Sequence, residues 1–320
     1  MRKQVLCIIS VEAFLLAALI GTAFGQQSTR QASEGEKSTY PIMTGLPEWM
    51  SIAGYADFGY RTTQFFEPDY DTTFFLGDSR VEFWIPPGRE TFSWGPYIRL
   101  AGIDGDRPEA WENAWLALPG VGFQAYPFSQ NQLRERAGWL GGILGPLRLF
   151  AEYNRFDYWG DENRWRPDEQ VRAGAEYWHA LHVNDTTRPL WGEIWSGLFW
   201  QSANEFDPHY NSVIFANALR GGVRVPDAGV LSLFTPYALL ETSLTDNGVY
   251  YWENRLLAGF GIRVAPWLRL KPDRFNWLTR FVVYAEYLSA IDYYRTEAPS
   301  SVPDHDFRVG INLAIGEWYR

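Results

Sequence analysis

Arginines and carboxylates recur through this chain beside apolar or small residues, as in Leu147-Arg148-Leu149 and Ala151-Glu152-Tyr153. The first positions in this setting are Arg80, Glu82, Arg99, Arg148, Glu152, Arg172, Glu176 and Glu193. Arg220, Glu241, Arg255, Arg263, Arg280, Glu286 and Arg308 follow, and Arg61 and Asp78 extend the set. Of the 28 basic residues only Lys3, Lys37 and Lys271 are lysine. Arginine presents a planar fork that pairs bidentately with carboxylates and also fits sugar hydroxyls or sugar carboxylates. Two chemistries therefore stand open: arginine and glutamate cross-link one another to brace a wall, or they line a path for a polar or anionic glycan.

Catalytic signals are sparse, and no catalytic residue is assigned. The histidines are His179, His182, His209 and His305, and the pairs Ser202 with His209 and Ser300 with His305 are loop neighbours without further signature. There is no Gly-x-Ser-x-Gly elbow, phosphate loop or His-Glu-x-x-His spacing. A lipid-acting barrel enzyme is the weakest of the functional alternatives, and neither a cofactor nor a metal is expected.

The elements that position the charges are strands. In 254 to 265, Leu256, Ala258, Phe260, Ile262 and Val264 share one parity, opposed by Arg255, Gly259, Gly261 and Arg263. The same alternation holds in 146 to 154, 278 to 288 and 305 to 316, where a helical period would scatter the charges around the axis. Extended along the chain, it predicts about twelve strands near 50–64, 73–85, 93–104, 111–127, 146–158, 170–182, 190–203, 211–225, 231–244, 254–266, 278–291 and 305–319. Pro96, Pro119 and Pro236 fall inside these segments, where each implies a bulge or a displaced boundary.

Composition agrees with a chain rich in rings yet not greasy: 17% aromatic and 46% hydrophobic overall. Beyond residue 25 no stretch approaches the roughly 20 apolar residues of a membrane helix, so a membrane span must be built of strands. A secreted β-sandwich is the soluble alternative. The formal charge of -10 argues against nucleic acid as a partner.

Arg2 and Lys3, the apolar run Cys7 to Leu19 and the small residues around Gly21 to Gly25 read as a signal peptide, residues 1–25. Its removal takes away Cys7, the one cysteine, and with it any disulfide. Polar residues 26–45 read as a flexible periplasmic linker, and 46–320 as the barrel. The fold class expected is all-β: a transmembrane antiparallel up-and-down barrel of about twelve strands in the outer membrane of a Gram-negative bacterium, in contact with outer-membrane lipid. Connectors such as 86–88, 184–189 and 226–229 suit periplasmic turns. Those at 157–170, 202–210, 246–253 and 292–306, acidic and aromatic, suit outer loops. The connectors 128–145 and 266–277 break this asymmetry by being long on the periplasmic side. Among outer-loop aromatics, Trp159, Trp165, Tyr251 and Trp252 are candidate saccharide contacts, with a membrane-interface girdle as the plainer reading.

The stretch Gly122-Phe123-Gln124-Ala125-Tyr126-Pro127-Phe128-Ser129, the Ala-Glu-Tyr repeats at 151–153, 175–177 and 285–287, and Phe307-Arg308-Val309-Gly310-Ile311-Asn312 carry a resemblance. Over about residues 90 to 320 they resemble the C-terminal barrel of exopolysaccharide-secretion proteins of the phage-adsorption protein A type. The resemblance implies a conduit or accessory component for exopolysaccharide export, with polysaccharide as cargo and a separate periplasmic scaffold or polysaccharide-export protein as partner. A general porin or a surface receptor is the alternative.

Overall fold

The computed structural model describes residues 47, 49–63, 72–85, 93–105, 114–128, 144–158, 169–183, 188–203, 211–224, 229–246, 254–265, 281–293 and 305–315. They form twelve antiparallel strands: β1 Met50–Thr63, β2 Thr72–Phe83, β3 Ser93–Gly105, β4 Ala114–Tyr126, β5 Leu147–Tyr158 and β6 Glu169–Leu181. The remainder are β7 Leu190–Ala203, β8 Ser212–Val223, β9 Phe234–Thr245, β10 Arg255–Val264, β11 Phe281–Tyr293 and β12 His305–Ile315. Each pairs with its sequence neighbours, and β1 pairs with β12 to close the barrel. Closure leaves no unpaired edge, which a membrane would penalise.

Why these segments become strands is visible in their two faces. On β5, Leu149 and Tyr153 are 42% and 40% exposed, whereas Arg148 and Glu152 between and beside them are 3% and 7% exposed. Phe58, Ile98, Phe123, Leu198, Leu219, Phe260 and Ile311 likewise point outward and are exposed. The apolar parity thus faces out and the charged parity faces in, the reverse of a water-soluble barrel. Strands of 10 to 14 residues suit this exterior. At about 3.3 Å per residue and a tilt near 45°, a strand of this length crosses about 30 Å, the thickness of a hydrocarbon core. No described helix is long and apolar enough to cross a membrane.

The expected segments match the observed strands closely, with differences at the prolines and at one turn. Pro119 lies where the registers of β4 with both β3 and β5 shift, as a bulge requires. Pro96 and Pro236 do not interrupt a register. Pro96 sits one residue past the last β2–β3 pair, Glu82 with Tyr97, and Pro236 one residue past the last β8–β9 pair, Gly222 with Tyr237. On the β2 side the pairing resumes in the same register at Ile85 with Trp94, so Pro96 leaves a gap in that ladder without shifting it, and Pro236 lies at the end of the β8–β9 ladder, while the ladders on the other side continue through Phe123 and Ile262. The strand expected from 231 begins at Phe234, because Gly229 at φ 63° opens a short 3-10 turn over Gly229–Leu233. The strand ends at Tyr126, Leu147, Val264 and Phe281, which the connectors 128–145 and 266–277 join, lie at the barrel end where β1 begins and β12 ends, and the connectors themselves fall largely outside the described residues.

Candidate functional site in the barrel interior

Twelve strands about 4.8 Å apart, tilted near 40°, enclose a backbone cylinder of about 24 Å diameter. Long side chains from strands a quarter to a third of the way round can meet across such a space, and here they do. Arg80 on β2 donates from Nη1 to Glu176 on β6 at 3.3 Å, and Arg263 on β10 donates to Glu193 on β7 at 2.8 Å. Arg308 on β12 holds Glu241 on β9 with two bonds of 3.0 and 3.1 Å.

The contacts separate into two clusters. In the first, Glu152 on β5 accepts from the Tyr97 hydroxyl at 2.7 Å, Arg99 Nη1 at 2.8 Å and Asn154 Nδ2 at 3.1 Å, with Arg172 Nη1 3.2 Å away. Glu176 accepts from Arg148, Arg80 and, at 2.9 Å, Trp195 Nε1. Arg99 also grips Asp78 through Nε and Nη2 at 3.1 and 2.9 Å. Glu82 lies 3.7 Å from Arg80 and accepts from Ser51 at 2.7 Å. The Arg148 guanidinium lies 4.9 Å from the ring centroids of both Tyr97 and Phe150, and Arg172 lies 4.1 Å from that of Phe199. Aromatic faces thus cover the sides of guanidiniums whose edges are ion-paired.

The second cluster spans β7 to β12 and reaches β1. Glu286 accepts from Tyr237 at 2.7 Å and Arg220 Nε at 3.0 Å, with Arg308 Nη1 3.9 Å away. Glu193 lies between Arg263 and Arg220, and Asp306 between Arg308 and Arg61, at 2.7 and 2.9 Å. Asp57 on β1 accepts from Tyr284 on β11 at 2.8 Å. Each cluster sets four arginines against four carboxylates: Arg80, Arg99, Arg148 and Arg172 with Asp78, Glu82, Glu152 and Glu176; and Arg61, Arg220, Arg263 and Arg308 with Glu193, Glu241, Glu286 and Asp306.

A transverse row of residues underlies both clusters. Tyr97 on β3 pairs with Gly122 on β4, Gly122 with Glu152 on β5, and Glu152 with Arg172 on β6. Six strands further round, Tyr237 pairs with Gly261, Gly261 with Glu286, and Glu286 with Arg308. The glycine is the means by which the tyrosine reaches. A Cβ on Gly261 would lie 2.6 Å from Tyr237 Cζ, and one on Gly122 would overlap the Tyr97 ring. Each phenol therefore lies flat across a bare backbone and hydrogen-bonds a carboxylate two strands away. Pro96 and Pro236 precede the two tyrosines, so the local sequence Pro-Tyr is repeated with the row.

Of the sequence candidates, Arg80, Glu82, Arg99, Arg148, Glu152, Arg172, Glu176, Glu193, Arg220, Glu241, Arg263, Glu286 and Arg308 all come together in these clusters. Arg255 shares their face at the far end of β10, opposite Ser243. Arg280 lies outside the described residues, as do Trp159, Trp165, Tyr251 and Trp252. Sequence reading missed the bracing role of Tyr97, Tyr237, Tyr284, Trp195, Asp57 and Asp306; the repeated Pro-Tyr was the signal for two of them. His305 meets Tyr287 on the outward face, with Nδ1 2.7 Å from the hydroxyl. Among the described residues no group of three or more His, Cys, Asp or Glu is arranged to hold a metal.

A closed antiparallel ladder with charges inside and an apolar exterior defines a membrane-type β-barrel. No protein-family model and no curated protein matches the chain. Among solved structures it is similar to a mutant porin of Rhodopseudomonas blastica, with 10% identity over 83% of this chain and 100% of that one and a TM-score of 0.32. It is also similar to the β domain of the Bordetella autotransporter BrkA, with 12% identity over 83% and 99% of the two chains and a TM-score of 0.34. The NanC porin is a third, at 9% identity over 82% and 98%, with a TM-score of 0.34.

Proposed function

We propose that this protein is an outer-membrane barrel closed to free diffusion, serving exopolysaccharide export as an accessory component and not as an open conduit. One observation carries the closed-barrel part: the charged residues that would line a channel are spent on one another. Glu82, Arg148, Glu152, Glu286 and Asp306 are each 7% exposed or less, whereas side chains that line an aqueous pore face its water. A buried carboxylate held by several donors gains nothing from admitting solute unless the solute replaces those donors. The export role is supported by the resemblance of the Ala-Glu-Tyr repeats and of the ending Phe307 to Asn312 to polysaccharide-secretion barrels.

Two experiments test the two parts. Purified protein inserted in planar bilayers is expected to show no steady ion conductance, and a stable single-channel conductance overturns the closed reading. Deletion of the gene is expected to reduce surface polysaccharide and raise the periplasmic pool. Unchanged polysaccharide removes the export role and leaves a surface receptor or anchor.

A further inference from the structure

Among the described residues the lipid-facing parity is apolar along most strands, and a four-residue polar row crosses β6 to β9. Tyr177, Ser196, Asn217 and Thr242 pair in succession across these strands. Ser196 donates its hydroxyl to Asn217 Oδ1 at 2.6 Å. Both residues sit near the middle of their strands, Leu190–Ala203 and Ser212–Val223, at the depth where a bilayer offers no hydrogen-bond partner. Around them Leu198, Phe215 and Leu219 are 54%, 37% and 43% exposed.

The other half of the barrel supplies an internal control. Asn217 lies as far along β8 from Gly222, the partner of Tyr237, as Gly77 lies along β2 from Glu82, the partner of Tyr97. Ser196 pairs with Asn217 as Ala56 pairs with Gly77. By the same offsets Thr242 corresponds to Gly102 and Tyr177 to Leu313. The corresponding row is thus Leu313, Ala56, Gly77 and Gly102, with neither a hydroxyl nor an amide. Building the barrel does not call for the polar row.

We infer that the outward face of β6 to β9 is an interface with a second copy of this chain, centred on Asn217. A carboxamide is self-complementary, since Nδ2 of one copy can donate to Oδ1 of the other, and a two-fold axis through this face sets Asn217 against its own counterpart. Ser196 already supplies one hydrogen to Oδ1, which leaves the two hydrogens of Nδ2 as the donors to be met. Gly221, on the same parity of β8, is open on its outer side, with nothing within 4 Å of a would-be Cβ, so a neighbouring barrel can approach closely there. The inference rests on membrane placement of the barrel and not on closure of its lumen, so conductance neither supports nor removes it.

The test uses matched outward positions: Leu198, two residues beyond Ser196, and Phe58, two beyond Ala56, which are 54% and 55% exposed. In a Cys7→Ser chain reconstituted in liposomes, Leu198→Cys is expected to give a covalent dimer with a short bismaleimide, and Phe58→Cys is expected not to. Native mass spectrometry of the unmodified protein should show twice the chain mass. Asn217→Leu, which makes the face more apolar and leaves the barrel's ladders intact, should lower the dimer fraction at least tenfold in the dimerisation constant. A monomer mass for the unmodified protein, equal cross-linking through Phe58→Cys, an adduct of some other mass at Leu198→Cys, or an Asn217→Leu protein as dimeric as the original overturns the proposal.

Discussion

Glu152 and Glu286 are the residues on which the interior turns, because each is buried and collects a tyrosine and two arginines. Removing Glu152 takes from the buried Arg172 the carboxylate it pairs with and leaves Arg99 with Asp78 alone, which costs far more than the pair contributes. Glu152→Ala is expected to lower unfolding free energy by about 3 to 5 kcal/mol, measured by urea titration in lipid vesicles. Tyr97→Phe and Tyr237→Phe remove only a hydrogen bond to a charged group, about 1.5 to 3 kcal/mol. They should cost similar amounts, since the two rows are built alike; a large difference would mean that the rows are energetically unlike. Gly261→Val tests the glycine's part separately. Its side chain must displace the Tyr237 ring, so a loss of about 1 to 3 kcal/mol is expected, and adding Tyr237→Ala should relieve the clash so that the two losses are less than additive.

At the scale of the strand, the period-two pattern carried nearly everything. Arg148, Glu152 and Glu286 read as inward from their neighbours alone, and they are inward. The partners were not legible, because Tyr97 and Glu152 become neighbours only through two registers, and registers depend on turns and bulges that a single sequence does not spell out. The prolines show the same limit. Pro96 and Pro236 looked like interruptions, and each leaves a gap in one flanking ladder near its end, where the missing N–H withdraws at most one donor and shifts no register. Pro96→Val should therefore change stability by less than about 1 kcal/mol. Leu239→Pro should cost about 3 kcal/mol or more, since Leu239 is paired on both sides, with Arg220 and Gly259. Heat-modified gel migration and urea midpoints separate the two outcomes, and a Pro96→Val protein that fails to close would show that this proline has a structural part of its own.

Across the whole molecule, the repeated row makes two closures out of one design. The first cluster joins β2, β3, β5 and β6, and the second joins β7 through β12 to β1. Cutting one cluster should leave the other half of the lumen braced. Arg80 in the first cluster and Arg308 in the second are among the arginines whose bonds span three or more strands, as do those of Arg220 and Arg263, so they hold the clusters across the lumen more than along the wall. Arg80→Ala alone, or Arg308→Ala alone, is expected to give brief, low-amplitude openings in planar bilayers. The double variant should give sustained conductance, larger than the sum of the single variants, because only then are both halves released. Glu176 and Glu241, each relieved of one arginine, would leave the lumen with an excess of carboxylates along the opened path, which predicts selectivity for cations over anions, read from the reversal potential in a salt gradient. A double variant that stays silent while inserted and folded would place the closure elsewhere than in these two clusters, and anion selectivity would mean that the remaining arginines, not the carboxylates, set the field along the path.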